Sequence, residues 1–496
     1  MGRCGAAERV GERVASPEAP IVSPVEAAGD QPASGLGEGL WALERRALTV
    51  GLVLTTTFIA TEALVVITIM PQVARELGGL TLYGWVFSAF MLGSLVGTVA
   101  AGREADRAGP ARPYLAGVLV FASGLAVAGL APSMGVLVVG RFMQGLGAGA
   151  VPATAYVAIG RGLPERLRAK MMAVLSTAWV VPGVLGPVLS AQIARSLGWR
   201  VVFLGLIPLV AVAAGLAMPA LARLRPPAAQ PAGEQRLSDA ALTALGAGLL
   251  IGAPAASAPL LAASLALAGL AVGLPALRRL LPAGTLSARR GLPATILSRG
   301  LLTFTFFGAD AFITLAITTV RHHSITVASV VITSSTLTWT AGAWVQARLN
   351  SSREGRIFIR TGLVLILGGI AGMVLFLQPG VSAASALLVW SVAGLGMGLA
   401  FAPTSLLMLT QVAPARTGRA SASLNLSDVL GTALGTGLGG GAIALASNHG
   451  WALSTAVTIA FALAGAAALA ALFVTRRLPL SLAISAAGPA ADRVIR

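Results

Sequence analysis

The sequence predicts an all-α, polytopic membrane protein of two six-helix bundles with two extra helices between them. Three observations lead there. Apolar runs of about 20 residues, long enough to cross a bilayer, recur along most of the 496 residues. Hydrophobic residues make up 56% of the chain and charged residues 11%, where a soluble protein carries about 25% charge. Third, the stretch Thr57-Phe58-Ile59-Ala60-Thr61-Glu62-Ala63-Leu64 returns 248 residues later as Thr305-Phe306-Phe307-Gly308-Ala309-Asp310-Ala311-Phe312. Each copy sets a carboxylate inside an apolar run. An ionisable group there costs about 2.5–3.5 kcal/mol on insertion scales and marks a functional position. The same intrusion in the same frame implies two related halves facing one pathway.

The spans follow in order. The first six are expected at about 48–70, 83–101, 113–131, 134–160, 169–194 and 199–221. A middle pair is expected at about 240–256 and 258–277, with Pro254 and Pro259 crowding the turn. Six more follow at about 295–319, 325–348, 356–377, 383–411, 417–446 and 450–474. In segments, 1–47 reads as a disordered cytoplasmic tail and 48–221 as the N-terminal bundle; 222–239 is a cytoplasmic linker and 240–277 the inserted pair. Then 278–294 is a cytoplasmic basic loop, 295–475 the C-terminal bundle and 476–496 a cytoplasmic tail.

Basic residues test the count. With the N-terminus inside, the inner segments hold Arg45-Arg46, Arg103, Arg107, Arg112, Arg161, Arg166, Arg168 and Lys170 in the first half. Later inner segments hold Arg223, Arg225, Arg236, Arg278, Arg279, Arg289, Arg290, Arg299, Arg348, Arg353, Arg356, Arg360, Arg416, Arg419 and Arg476-Arg477. The outer loops hold Arg75, Arg195, Arg200 and Arg321. Losing one span would move every later basic loop outward, so an even count is required. This distribution also explains the net charge of +17 as a topology signal and argues against nucleic acid as a partner. The one cysteine, Cys4, excludes an internal disulfide and a cysteine metal site. Residues 1–40 lack the apolar core of a signal peptide. The abundance of Arg, Ala and Gly fits a GC-rich bacterial genome.

The repeat has two further marks. Gly145-Leu146-Gly147-Ala148-Gly149 is echoed by Gly394-Leu395-Gly396-Met397-Gly398 at an offset of 249, and Gly198-Trp199 by Gly450-Trp451 at 252. Three matches in one order at nearly the same spacing imply a parallel repeat about an axis along the membrane normal.

Four motifs carry chemistry. After the second span, Gly102-Arg103-Glu104-Ala105-Asp106-Arg107-Ala108-Gly109-Pro110-Ala111-Arg112 reads as a loop with glycines for a tight turn. Asp106 and Arg107 offer a charge pair at a helix end. It would latch the cytoplasmic ends of neighbouring helices; the plainer alternative is a loop that only sets topology. In the fourth span, Arg141-Phe142-Met143-Gln144-Gly145-Leu146-Gly147 places a cation that needs a carboxylate or carbonyl partner. Its alternative is an arginine snorkelling to the surface. The fifth span holds Pro182-Gly183-Val184-Leu185-Gly186-Pro187-Val188-Leu189-Ser190-Ala191. Two prolines bend a helix, and its small residues allow close packing. The first span carries Glu62 nine residues before Pro71.

These stretches resemble the major facilitator superfamily. The loop is similar to its Gly-x-Leu-Ala-Asp-Arg-x-Gly-Arg-Arg signature through Gly102, Ala105, Asp106, Arg107 and Gly109, with Glu104 in place of an apolar residue and the basic pair reduced to Arg112. The fourth span is similar to its Arg-x-x-Gln-Gly-x-Gly motif. The fifth resembles the antiporter motif ending Gly-Pro-x-x-Gly-Gly, here Gly186-Pro187 with Ser190-Ala191 closing it. The first span is similar to the Leu-Asp-x-Thr-Ile-Val-Asn-Val-Ala-Leu-Pro pattern of the fourteen-helix drug:proton antiporters, with Glu62 for the aspartate and Ile67 for the asparagine. The resemblance covers about 48–475 and implies the major facilitator fold, drug export by alternating-access antiport, and no cofactor beyond a proton gradient. It implies a gate at Gly102, Asp106, Arg107, Gly109 and Arg112, a fourth-helix motif of Arg141, Gln144, Gly145 and Gly147, and an antiporter motif of Gly183, Gly186 and Pro187.

Three of the 18 acids fall well inside spans: Glu62, Asp310 and Asp428. A carboxyl held between burial and a nearby cation can exchange a proton as a cavity opens to each side. With Arg141 they are the proton-coupling candidates. The alternative for each is a structural hydrogen bond between helices. Trp85, Phe87, Trp179, Phe306, Phe307, Phe312 and Trp339 are available to line an apolar cavity or to face lipid. His322-His323 reads as a solvated loop, since a metal would need further ligands.

The leading expectation is a proton-coupled exporter of amphipathic or cationic compounds. It would act as a monomer in the bacterial cell membrane, with both termini cytoplasmic and small-molecule substrate, protons and lipid as partners. The alternative is a proton-coupled importer or facilitator of one metabolite. A membrane enzyme needs a nucleophile with a base, or a ligand cluster, and the sequence shows neither. It also lacks a Gly-x-x-x-x-Gly-Lys-Ser/Thr loop for ATP.

Overall fold

The protein is described as a computed structural model over residues 39–224, 235–349, 355–413 and 416–479. The expected tails therefore lie outside the described residues for 1–38 and 480–496, as do 225–234 of the linker. The described chain is helical throughout. Among the described residues, thirteen helices are long and apolar enough to cross a membrane.

The first half comprises α1 (Leu43–Leu77), α2 (Tyr83–Ala108), α3 (Ala111–Gly129), α4 (Met134–Gly162), α5 (Glu165–Thr177), α6 (Val180–Ser196), α7 (Trp199–Leu204) and α8 (Leu206–Ala222). The inserted pair is α9 (Gln235–Gly252) and α10 (Pro259–Leu280). The second half is α11 (Leu292–Leu315), α12 (Ile325–Leu349), α13 (Gly355–Phe376), α14 (Ala383–Thr410), α15 (Thr417–His449) and α16 (Leu453–Val474). Helix α11 ends in a wider π turn over Ala316–Val320.

The fifth span is the departure. It is broken between Thr177 and Val180, so no unbroken crossing helix covers it. Pro182 lacks the N–H that would bond the Ala178 carbonyl, and its ring crowds that carbonyl. Gly183 resumes the ladder by donating to Trp179. Pro208 interrupts the sixth span in the same way, four residues after the last residue of α7. That span still reads as one crossing segment, Trp199–Ala222.

The signature stretch after the second span is mostly helix, not loop. Residues Gly102–Ala108 form the last turns of α2, because no breaker occurs before Gly109-Pro110. Gly109 turns the chain at φ 84°. The first helix starts inside the expected tail, at Leu43, and the Thr49 hydroxyl donates to the Leu40 carbonyl. The expected basic loop 278–294 is also ordered: α10 continues to Leu280, and Arg477 donates to the carbonyls of Ser287 and Ala288.

Within each half the packing repeats. Helix α4 lies between α2 and α3, and α14 lies between α12 and α13. The repeated glycines make these crossings possible. A Cβ at Gly145 would collide with the Phe90 carbonyl of α2; one at Gly394 would collide with the Ser335 carbonyl of α12. Lipid gives helices no hydrophobic reason to associate, so close backbone approach supplies the attraction.

The halves meet along α2 with α15 and α6 with α12. At the end of the bundle near Gly78, the backbones of Gly84 and Gly440 are in contact. One turn deeper, the Ser88 hydroxyl meets Thr436 Oγ1 at 2.9 Å and donates to the Ala433 carbonyl at 2.9 Å. The inserted pair braces this seam. Ala240, Ala244, Ala247 and Ile251 of α9 pack with Leu92 and Leu95 of α2 and Leu430 and Ala433 of α15. Asn448 donates to the Ala255 carbonyl at one end, and Arg279 pairs with Asp239 at 3.0 Å at the other. Helix α10 is mostly on the outside.

The seam yields a packing prediction. Gly84→Leu must separate α2 from α15, and overpacking of this kind costs about 1–3 kcal/mol. Its thermal unfolding midpoint in detergent should fall by several degrees. Gly160→Ala, where a Cβ meets nothing within 4 Å, should raise stability by about 0.5–1 kcal/mol through helix propensity. Equal midpoints for the two variants would contradict the seam.

Candidate functional site

The first-half carboxylate belongs to Glu62 on α1, which is 1% exposed. Arg141 on α4 reaches across and forms an ion pair with its Oε1. The same guanidinium donates from Nη1 to Gln144 Oε1 at 2.6 Å and from Nε to the Val86 carbonyl at 3.0 Å. It also lies over the Phe90 ring, 4.4 Å from its centre. Arg141 is itself 2% exposed, so it does not snorkel. Both a carboxylate and a carbonyl answer the charge, as the cost of an intramembrane cation requires. Glu62 Oε2 and Gln144 Nε2 are buried without a hydrogen-bond partner.

The second half presents the counterpart. Asp310 on α11 is buried, and Trp390 Nε1 on α14 donates to its Oδ1 at 2.9 Å. Trp390 stands 249 residues after Arg141, the offset of the repeated glycines. The repeat has thus kept a carboxylate on the first helix of each half and its partner on the fourth. The partner is a cation in one half and a neutral indole in the other.

The indole continues into an aromatic cluster. Trp390 stacks on Phe306 with ring centres 5.4 Å apart, Phe306 meets Trp339 edge-on at 5.5 Å, and Trp339 meets Phe401 at 5.5 Å. Phe307 packs against Phe306 and Trp339. Of the aromatics singled out in the sequence, these three are brought together. Phe87 and Phe312 flank Tyr83 near the Gly84 contact, and the Tyr83 hydroxyl donates to the Ala311 carbonyl. Trp85 seats α9 at Gly248 and Gly252. Trp179 stands exposed at the break in the fifth span.

Asp428 on α15 pairs with Arg299 on α11 at 3.1 Å. Arg299 had counted among the loop arginines. It is instead 5% exposed. It donates to the Phe401 carbonyl and Thr404 Oγ1, each at 2.8 Å, and covers the Phe401 ring. Asp428 therefore carries an ion pair beside the aromatic cluster.

The remaining motif residues separate by role. Asp106 meets Arg161 of α4 at 3.7 Å, rather than Arg107, with both side chains partly exposed. Exposure keeps such a pair weak. Arg107 and Arg112 are exposed at the same end. Gly102 has open space around it, and Gly109 supplies the turn. On α4, Gly145 faces α2 and Gly147 faces α3. On α6, Gly183 meets Thr336 of α12 in the other half, and Gly186 lies against Val65 of α1. Pro187 accepts from the Ser190 hydroxyl at 3.0 Å. The stretch 182–191 thus forms a smooth wedge between α1 and the opposite half. His322 is exposed, but His323 packs on the Phe376 ring, so the loop is only partly solvated.

Trp390, Arg299, Ser88 and Thr436 were not among the expected site residues. Applying the repeat offset to Arg141 finds Trp390. The other three carry no local signal. Among the described residues no group of three or more His, Cys, Asp or Glu is placed to hold a metal ion.

Known proteins resemble this chain in sequence and in fold. The "Probable multidrug-efflux transporter" of Mycobacterium tuberculosis is 27% identical over 444 residues, covering 85% of this chain and 93% of the relative. A "Multidrug transporter protein" of Bacillus subtilis is 32% identical over 178 residues, 35% of this chain and 33% of its own. The crystal structure of a bacterial homolog of the human lysosomal transporter Spinster, inward-facing and unoccupied, superposes with a TM-score of 0.63 at 16% identity, covering 88% of this chain and 98% of that one. That likeness concerns the fold alone. The family model of the Major Facilitator Superfamily matches residues 52–436. The chain is a multi-pass membrane transporter of the Major Facilitator Superfamily.

Proposed function

We propose that this transporter exports amphipathic or cationic small molecules in exchange for protons, by alternating access. The observation that carries the reading is the repeat-related pair of buried carboxylates, Glu62 and Asp310, each answered from the fourth helix of its half. Export draws support from the wedge at Gly183, Gly186 and Pro187, and from relatives named as multidrug-efflux transporters. Both termini lie in the cytoplasm of a bacterial cell, by the distribution of basic loops, and the monomer is the working unit.

The residues act as follows. A proton on Glu62 releases Arg141, which keeps Gln144 and the Val86 carbonyl as partners. Loss of that proton restores the pair and draws α1 to α4. Asp310 has no such cation opposite it. Its charge is available to a cationic substrate resting on the aromatic cluster, where ring faces attract cations. The bundles 48–221 and 295–475 then rock about the seam, parting Ser88 from Thr436 as the Gly78 end opens. Asp106 and Arg161, with Arg107 and Arg112 beside them, act as the cytoplasmic latch. Asp428 stays with Arg299.

The test uses purified protein in liposomes. Under an imposed pH gradient, wild type should move a cationic dye, and Glu62→Gln and Asp310→Asn should lose gradient-driven movement while remaining folded. If wild type moves a panel of dyes and drugs no faster than empty liposomes, multidrug export fails, and a dedicated importer or facilitator takes its place. Normal transport by Glu62→Gln would make Glu62 structural.

Stability gives an independent check on the pair. Arg141→Gln leaves a carboxylate buried without its cation and should cost about 3–5 kcal/mol. Adding Glu62→Gln should recover most of that loss, since two neutral amides carry no unpaired charge. A thermal double-mutant cycle measures the recovery; strictly additive losses would mean the two side chains do not act as a pair.

A further inference from the structure

The end of the bundle near Gly78, where Gly84 meets Gly440, contains a cleft. Its volume is about 440 Å³. One wall comes from the first half, with Gln72 and Arg75 of α1 and Arg195 of α6. The other comes from the second half, with Thr318, His323 and Ser324 leading into α12.

The cleft holds positive charge without a balancing acid. Arg75 is exposed and makes no ion pair or hydrogen bond among the described residues. Arg195 donates only to a hydroxyl, Thr326 Oγ1, at 3.2 Å. The adjacent carboxylate, Glu76, is already engaged by Trp199 at 2.7 Å and Arg200 at 2.5 Å. His323 Nε2 is buried without a partner. The first turn of α12 begins at this cleft, capped by Ser324 Oγ, and helix starts carry partial positive charge.

We propose that the cleft is a binding site for a phosphate-type anion, held between Arg75, Arg195 and His323. Two guanidiniums suit the paired oxygens of such a group. The walls come from opposite halves, so the anion touches both only while this end is shut. By linkage, its binding stabilises the closed Gly78 end. The ligand acts as a clasp on the conformational cycle, separate from the buried carboxylates.

The source is a free anion or a lipid headgroup, and the experiment distinguishes them. Inorganic phosphate is titrated into the full chain in neutral detergent, with chloride at matched ionic strength as the control for screening. In parallel, the chain is placed in phosphatidylcholine nanodiscs with or without phosphatidylglycerol. Unfolding midpoints are compared for wild type, Arg75→Gln/Arg195→Gln and Arg75→Lys. Neither arginine is buried or ion-paired, so the double variant should fold. Phosphate raising the wild-type midpoint, with affinity falling about tenfold or more in the double variant and by less in Arg75→Lys, which keeps the charge but not the fork, assigns a free anion. The same pattern with phosphatidylglycerol alone assigns a headgroup. A second readout follows closure. In a Cys4→Ser background, labelling of Ser88→Cys by a membrane-impermeant maleimide should slow several-fold when the anion is bound. A midpoint shift that survives in the double variant overturns the site, as does no shift with either probe. Unchanged labelling overturns the clasp.

Discussion

Charge inside an apolar bundle must be answered by charge or by a strong dipole, and this constraint orders the molecule. Removing Glu62 or Arg141 alone from the pair leaves the other stranded, and the penalty for a stranded buried ion exceeds that of most packing defects. The pair therefore specifies where α1 sits against α4. Gln144 and the Val86 carbonyl hold the guanidinium in register, so α2 is included in the same constraint. Three helices of the first half are positioned by one arginine.

The second half solves the same problem differently. Trp390 occupies the position equivalent to Arg141, and a neutral N–H answers the acid. The cation of this half sits elsewhere, as Arg299 against Asp428, Thr404 and Phe401. The two halves share a fold but not an electrostatic layout. One acid is bound to a fixed cation. The other borders an aromatic surface built from Phe306, Phe307, Trp339, Trp390 and Phe401. In the proposed exchange, that asymmetry divides the labour between proton and substrate.

Movement depends on the contacts between halves being few and separable. Glycine to glycine approach and a serine–threonine hydrogen bond, at Gly84–Gly440 and Ser88–Thr436, close tightly yet leave small polar groups when they part. The inserted helices lie over this seam without entering it. Their packing through alanines of α9 restrains α2 and α15. The break at Ala178-Trp179 places a joint in the segment that touches the opposite half.

The sequence by itself determined where most spans lie, that they repeat, and that Glu62 and Asp310 are buried; it placed Asp239 in the linker, although α9 buries it. Hydropathy acts on each segment locally, so the span limits are legible, and the cost of an intramembrane carboxylate makes Glu62 and Asp310 stand out. It also determined the bend of the fifth span, since Pro182 removes a donor whatever its surroundings. The helical extension through Gly102–Ala108 was missed because the family pattern reads as a loop while the residues have no breaker until Gly109. Only the tertiary structure decided the partners. Arg299 reads as a loop arginine until α11 and α15 are set side by side, and Ser88 is an ordinary polar residue until Thr436 faces it. The cleft of Arg75, Arg195 and His323 gathers residues from segments more than a hundred positions apart. Such pairings depend on the rotation and depth of one helix against another, and no local pattern of residues records either.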